Sequence, residues 1–587
     1  MKQFFKFLFA SCLGTLLAIG ALIFIFMIIG SSFSSKDTQV KSKSVLMLQF
    51  NDLMPEKTDN VQKTQFDFEP QSAIGVHHIK DLIKKAQNDN NIVGIVYKPG
   101  LQTQGGMVKH AIIKEALQNF KDSTDKFIYT YADFLSNATY LMSTPSDSIF
   151  VNPNGMLEIK GYAAMIPFFK DMLDRIGVKM NVFYAGNFKS ATEPFRRNDM
   201  SPSNRVQTRE FLTDNYNLFL KEVSESRNIS LADLKAFIND FNFENIDAAI
   251  DLGLIDKKAY WYEVEDMIRN QLEISEGKEI NYIDLAEYES KTFIKKKTSK
   301  NRIAVIYAEG DILYDANQRG VVSEVKYHEI FDKIRKDKKV KAVVLRVNSP
   351  GGSAFSSDVI WREMEELKSK GIPVIASFGD YAASGGYYIA AGADVIVSHP
   401  KTLTGSIGVF SMLPNVTKLF EDKMGIHFDT IKTSPHAISL TPFYDFNEEE
   451  KETLQNWTDN LYQKFLSRVA QGRNMTIEEV HEVAQGRVWT GQRAVDKGLV
   501  DELGGLDKAI DIAIEKAELG DDYKIVNYPI IKKDVWEQLI SDLAQSSDAE
   551  AQVRMPTIES QIMDRVKELK PYLNYKEPMA RLPLSIH

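Results

Sequence analysis

Three separated segments of this 587-residue chain carry residue types that can attack or polarise a carbonyl group. One is Ala-Ser-Gly-Gly around Ser384, followed by YYIAAGA, a small and apolar run that reads as the start of a buried helix. A serine at a strand-to-helix turn with glycine beside it stands ready to attack, and the amide of Gly385 can help hold the resulting oxyanion. The same location also suits an N-cap serine, whose hydroxyl only satisfies the helix N-terminus. Another segment is NSPGGS, from Asn348 to Ser353, directly after the apolar run VVLRV. Its glycines tolerate positive φ and let the backbone approach a ligand, so the Gly351 amide is a candidate oxyanion donor. A Pro-Gly-Gly sequence is also an ordinary turn.

A serine nucleophile needs a base, usually histidine. His399, His427 and His436 are the histidines within about sixty residues after Ser384, and none has a carboxylate partner recognisable from the sequence. The third segment supplies another candidate, Lys189 in YAGNFKSATEPFRRNDMSP. A lysine becomes a base when burial disfavours its charged form, but lysines are mostly solvated surface residues, so spacing alone does not select it.

The elements that must position these groups occur twice. DYAASGGYYIAAGADVIVSHP (Asp380 to Pro400) matches DFLSNATYLMSTPSDSIFVNP (Asp133 to Pro153), VKAVVLRVN matches IVGIVYKPG, and AVDKGLVD matches AIDLGLID. The common offset of about 245 to 248 positions is the size of a domain and far longer than a solenoid repeat. Ser384 falls opposite Asn137, and the first copy has LQTQ (101–104) where the second has its Pro-Gly-Gly turn. Short Val/Ile-rich runs alternate with helical patterns such as IKDLIKKA and EIFDKIRK, which predicts an α/β fold of mostly parallel, buried strands. The amphipathic stretch YQKFLSRVAQ from Tyr462 reads as a core-facing helix or an assembly surface.

A hydrophobic share of 44% supports sizeable cores, and a net charge of −9 gives no basic patch for nucleic acid. No metal-ligand cluster or phosphate loop is recognisable, so no metal or cofactor is expected. Residues 7–30 carry no charge, long enough for the roughly 20 residues that cross a bilayer and longer than the apolar part of a signal peptide. Lys2 and Lys6 point to a cytoplasmic N-terminus, although Lys36, Lys41 and Lys43 weaken the charge bias. The lone cysteine, Cys12, lies in this segment, so no intramolecular disulfide is possible. The expected organisation is a cytoplasmic N-terminus (1–6), a membrane anchor (7–30), a linker (31–43), one domain (44–275), a second linker (276–301), a second domain (302–534) and a C-terminal tail (535–587).

DYAASGGYY, NSPGGS and NFKSATEPFRRNDMSP together resemble the long, duplicated form of the signal peptide peptidase A family, peptidase family S49, over nearly the whole chain. That resemblance implies a membrane-anchored serine protease with a Ser/Lys dyad, on two tandem crotonase-like or Clp-protease-like α/β domains. It places the nucleophile on Ser384, the general base on Lys189, and the oxyanion donors on Gly351 and, secondarily, Gly385. It also implies remnant signal peptides and other hydrophobic peptides as substrates, a homotetramer, and a single-pass protein of the bacterial inner membrane with its catalytic body on the periplasmic side. Aligning GVKMNVF from Gly177 with GIHFDTI from Gly425 sets Lys189 opposite Ala437, so each half retains the catalytic residue that the other lacks. Two other readings use the same residues: a crotonase-type acyl-CoA enzyme, which would need carboxylates in the site, and a catalytically silent membrane scaffold.

Overall fold

The computed structural model describes residues 39–531 except 51–52, 62–72, 101–104, 276 and 293–296, together with residues 14–15 and 579–581. The expected anchor (7–30) apart from Gly14 and Thr15, with Cys12, the LQTQ segment, and the tail apart from 579–581 lie outside the described residues. Among the described residues no helix is long and apolar enough to cross a membrane.

In chain order the strands are β1 (Ser44–Leu48), β2 (Ile92–Tyr97), β3 (Phe127–Ser136), β4 (Ser148–Glu158), β5 (Lys179–Ala185), β6 (Lys257–Lys258), β7 (Asn281–Asp284), β8 (Arg302–Glu309), β9 (Val340–Ser349), β10 (Gly351–Ser353), β11 (Val374–Ala383), β12 (Val395–Ser398), β13 (Leu403–Gly405), β14 (Val409–Asn415), β15 (Val488–Thr490), β16 (Glu502–Leu503), β17 (Lys524–Tyr528) and β18 (Met579–Arg581). The first half builds a parallel sheet in the order β6-β4-β3-β2-β1-β7. The second half repeats that order as β16-β12-β11-β9-β8-β17, again parallel, with β13 and β15 added beside the far end of β11. Asn281–Asp284, inside the expected 276–301 linker, forms the edge strand β7. The helices IKDLIKKA and EIFDKIRK belong to Val76–Gln87 and Glu324–Lys336, as their periodicity predicts.

Helices on both faces explain why the central strands are mostly apolar. Along β9, Val343, Leu345 and Val347 enter one core while Ala342 and Val344 enter the other, the two-residue alternation of a strand. The stretch from Tyr462 lies in the helix Glu448–Arg473, and Tyr462, Phe465, Leu466 and Val469 are buried in the second half's core. It is therefore a core-facing helix.

The duplication extends to individual hydrogen bonds. Tyr140 donates to Leu254 O and Tyr387 to Leu499 O, each at 2.8 Å. Arg227 reaches Gly253 O and Asp256, while Arg473 reaches Gly498 O and Asp501. The two 26-residue helices Pro202–Arg227 and Glu448–Arg473 both end on an asparagine in the left-handed region, Asn228 and Asn474.

The halves meet along a buried seam of charge. Glu56 of the first half accepts from Arg346 Nε of the second at 2.9 Å, and neither side chain is exposed. The Glu56 amide donates to Glu309 at 2.8 Å, Lys109 Nζ donates to Glu309 at 3.2 Å, and Asp380 accepts from the amides of Val108 (2.8 Å) and Lys109 (3.3 Å). Those amides begin the helix Met107–Ser123, whose positive end favours a carboxylate. Burial raises the Glu56 carboxyl, but Arg346, then His77 and Lys109, outweigh it and hold it well below the usual carboxylate range. Removing one partner of a buried pair strands the other charge, so Arg346→Met should cost about 3–5 kcal/mol in urea unfolding. A loss below about 1 kcal/mol would show that the seam is not a major source of stability.

Candidate active site

Ser384 follows β11 and opens the helix Gly385–Ala390. Its amide donates to Gly405 O on the neighbouring β13 at 2.8 Å, and its φ of 57° and ψ of −118° lie where a residue with a Cβ is strained. Such a turn projects the hydroxyl out of the line of strand and helix, the geometry of a nucleophile elbow. Gly386 makes it possible: a Cβ there would meet Ser349 O at 2.5 Å. Although Ser384 occupies the N-cap position, its side chain makes no capping bond. In the first half Ser136 does cap, in a reciprocal box with Thr139, and Asn137 is spent on Lys160, whose backbone oxygen and nitrogen it binds.

The Ser384 hydroxyl faces Lys189 instead. Lys189 Nζ lies 2.7 Å from Ser384 Oγ, 3.0 Å from Ser406 O and 3.0 Å from Ser406 Oγ; Lys189 is 1% exposed, Ser384 and Ser406 not at all. Burial pushes the lysine well below its ordinary range. A neutral amine has two hydrogens and one lone pair, so donating both to Ser406 turns the lone pair toward the Ser384 hydroxyl.

Lys189 belongs to the first half but is delivered into the second. Strand β5 leaves the first sheet and pairs antiparallel with β14 from Lys179↔Asn415 to Ala185↔Val409. The turn after it is tied down when Phe188 N donates to Gln485 O at 2.8 Å. Gln207 then donates to Phe188 O at 3.1 Å and accepts from Val488 N at 3.1 Å. Glu193, four residues beyond the lysine, accepts from Ser201 N and Asn204 Nδ2, pinning NFKSATEP to the helix Pro202–Arg227. Gly486 lies against Lys189 so closely that a Cβ would sit 2.6 Å from the lysine's backbone nitrogen.

Gly351 has φ 102°, and its amide donates to Ser349 Oγ at 3.2 Å; Gly385 is the first residue of its helix, where an amide has no partner within the helix. His399 accepts from the Lys401 amide and faces Glu115, while His436 pairs with Glu450. His427 is exposed. Ala437 lies in a turn, and no strand precedes it: GIHFDTI lacks the strand that KMNVFYA makes as β5. Sequence reasoning missed Ser406, Gly486 and Gln207; the small-residue run TGSIG (404–408), which begins within β13, was the signal for the first. Among the described residues no group of three or more His, Cys, Asp or Glu is placed to hold a metal ion.

The depressed lysine has a stability signature. Between its folded-state pKa and its unfolded value near about 10.4, the unfolded chain binds the extra proton, so stability rises with pH across that window. Lys189→Met removes this penalty. The variant should unfold at higher urea than the parent near neutral pH, with the gap closing as pH approaches about 10. A gap that ignores pH would mean that the amine is not held neutral.

The model of peptidase family S49 matches residues 120–275 and 366–520, one segment in each half. The chain is 36% identical over 450 residues to Protease 4 of Salmonella typhi, covering 75% of this chain and 72% of that protein. It is 30% identical over 519 residues to Protease 4 of Haemophilus influenzae, covering 85% and 83%. It is 32% identical over 462 residues to the chloroplastic serine protease SPPA of Arabidopsis thaliana, covering 76% and 66%. With a family match in each half and relatives aligned across most of its length, the chain belongs to peptidase family S49 and is a serine protease made of two copies of one unit.

Proposed function

We propose that Ser384 is the nucleophile and Lys189 the general base of a membrane-anchored peptidase that degrades released signal peptides and other hydrophobic peptides. The observation that carries this reading is the buried 2.7 Å approach of Lys189 Nζ to Ser384 Oγ. Neutral Lys189 takes the hydroxyl proton as Ser384 Oγ attacks the peptide carbonyl, and the oxyanion is held by the amide of Gly385 and by that of Gly351, which turns to it from Ser349 Oγ. The protonated lysine gives its proton to the leaving amine, and the acyl-enzyme is hydrolysed by water that Lys189 activates in turn. A mostly apolar cavity of about 360 Å³, lined by Val409, Tyr388, Ala354 and Phe355 with Asp358 and Lys464 also in its wall, begins at Tyr388, one helical turn beyond Ser384, and suits apolar side chains.

The two repeated parallel sheets fit tandem crotonase-like or Clp-protease-like domains. The uncharged segment 7–30 with Lys2 and Lys6 before it supports a single-pass inner-membrane protein with a periplasmic body, and relatedness to the signal peptide peptidase A family supports a homotetramer. An acyl-CoA reaction would need a catalytic carboxylate, whereas Asp380, the acidic residue four positions before Ser384, is occupied by the amides of Val108 and Lys109.

The test is hydrolysis of an apolar, signal-peptide-like fluorogenic substrate by the parent, Ser384→Ala and Lys189→Ala chains, with folding followed by circular dichroism. Each substitution should lower kcat/KM by about 10²–10⁴. In the parent, kcat/KM should rise with pH as the lysine of the free enzyme deprotonates, well below the range of an exposed lysine. Activity that survives Lys189→Ala would overturn the lysine-base mechanism.

A further inference from the structure

The four-stranded sheet next to the site has the order β10-β18-β14-β5, so a strand from near the end of the chain lies between the NSPGGS turn and β14. Its register is Gly351↔Arg581, Gly352↔Ala580 and Ser353↔Met579 on one side and Phe410↔Met579 on the other, antiparallel to both neighbours. An extended peptide that binds by strand addition makes this pattern: main-chain hydrogen bonds hold it, and pockets read its alternate side chains.

Two side chains of the strand are read in this way. Met579 is 3% exposed and packs with Ala191, Phe195, Phe410 and Met412; Ala191 lies two residues beyond Lys189. Arg581 Nη2 pairs with Asp311 Oδ1 at 3.1 Å, the two side chains being 13% and 21% exposed. Asp311 is locked to the glycine turn through its neighbour: Ile312 N donates to Gly351 O at 2.9 Å, and Ser353 N donates to Ile312 O at 2.8 Å. The carboxylate therefore keeps a set position relative to Gly351.

We propose that Asp311 is a specificity-determining residue of the peptide groove, accepting an arginine or lysine two positions after an apolar anchor, and that the chain's own Met579-Ala580-Arg581 occupies the groove in that manner. The physical reason is that a mostly buried carboxylate is stabilised by a cation and repels an acidic side chain, so the groove discriminates by attraction and by repulsion. The preference is thus for apolar-x-basic segments, which adds a charge requirement to a groove otherwise lined by Ala, Phe and Met. Because the same three residues of the chain fill the groove, free peptide must displace them. The inference rests on Ser384 and Lys189 being the reacting pair.

The test uses the full chain in detergent and fluorogenic peptides that differ only in a Leu-Ala-Arg, Leu-Ala-Gln or Leu-Ala-Glu segment. The parent should favour the arginine peptide over the glutamate peptide by about tenfold in kcat/KM, Asp311→Asn should bring that ratio toward one, and Asp311→Arg should invert it. Inversion is a readout that a folding defect does not produce. Arg581→Glu should raise kcat/KM for all three peptides about threefold by vacating the groove. The same ratio in the parent, Asp311→Asn and Asp311→Arg would overturn the assignment of Asp311, and unchanged rates in Arg581→Glu would overturn self-occupancy. Fluorescence anisotropy of the labelled peptides on the Ser384→Ala chain reads the same selectivity without turnover. Failure of the dyad is thus distinguishable from failure of the groove.

Discussion

The site depends on one lysine amine kept out of water without a carboxylate to hold its charge. Burial alone depresses Lys189, and its polar partners are the hydroxyls of Ser384 and Ser406 and the Ser406 carbonyl. A carboxylate at this position would stabilise the ammonium form and remove the lone pair on which a base depends. The surroundings can therefore satisfy the amine only with neutral groups, and the chain must hold it in place by backbone packing. The Gly186 turn, the Phe188 bond to Gln485 and the close approach of Gly486 all serve that end.

Because the lysine and the serine come from different halves, their 2.7 Å approach depends on domain registry. Strand β5 is hydrogen-bonded along its length to β14, and the helix Pro202–Arg227 grips the second half through Arg487 on Glu210 and Arg493 on Asp214. On the other side of β11, the Glu56–Arg346 pair and the amides capped by Asp380 fix the seam only four residues from Ser384. A rotation between the halves would have to break buried charge pairs before it moved the lysine, an expensive path. Rigid registry thus keeps the lysine on the serine.

The repeated architecture shows what each copy gave up. Tyr140 and Tyr387 keep the same bond to the same kind of carbonyl, so the residues three positions earlier, Asn137 and Ser384, are structurally equivalent. In the first copy the helix start is relaxed into an ordinary capping box, and the strained turn is gone. In the second copy the segment after Gly425 makes no strand and delivers no lysine. Of the two equivalent turns, the strained one is the turn at Ser384, which faces the lysine.

Local patterns in the sequence carried much of this protein. The 3.6-residue and two-residue periodicities predicted α/β halves with parallel sheets, the repeated motifs showed the duplication, and glycine beside Ser384 marked the turn. Each is legible because it depends on near neighbours in the chain. Lys189 was legible only through likeness to a family, because a lysine's burial is a property of what surrounds it. Gly486 and Gln207 could not be read at all, and the small-residue run around Ser406 gave no hint of its partner: Ser406 and Gly486 lie 217 positions or more from Lys189, and they matter only because β5 crosses to β14. The order β10-β18-β14-β5 is likewise invisible to periodicity, since a three-residue strand has no pattern of its own and pairs where the fold leaves two edges open. The sequence by itself determined the halves and their motifs; the tertiary structure decided which copy's lysine meets which copy's serine, because an amine's pKa and a serine's partner are set by groups hundreds of residues away.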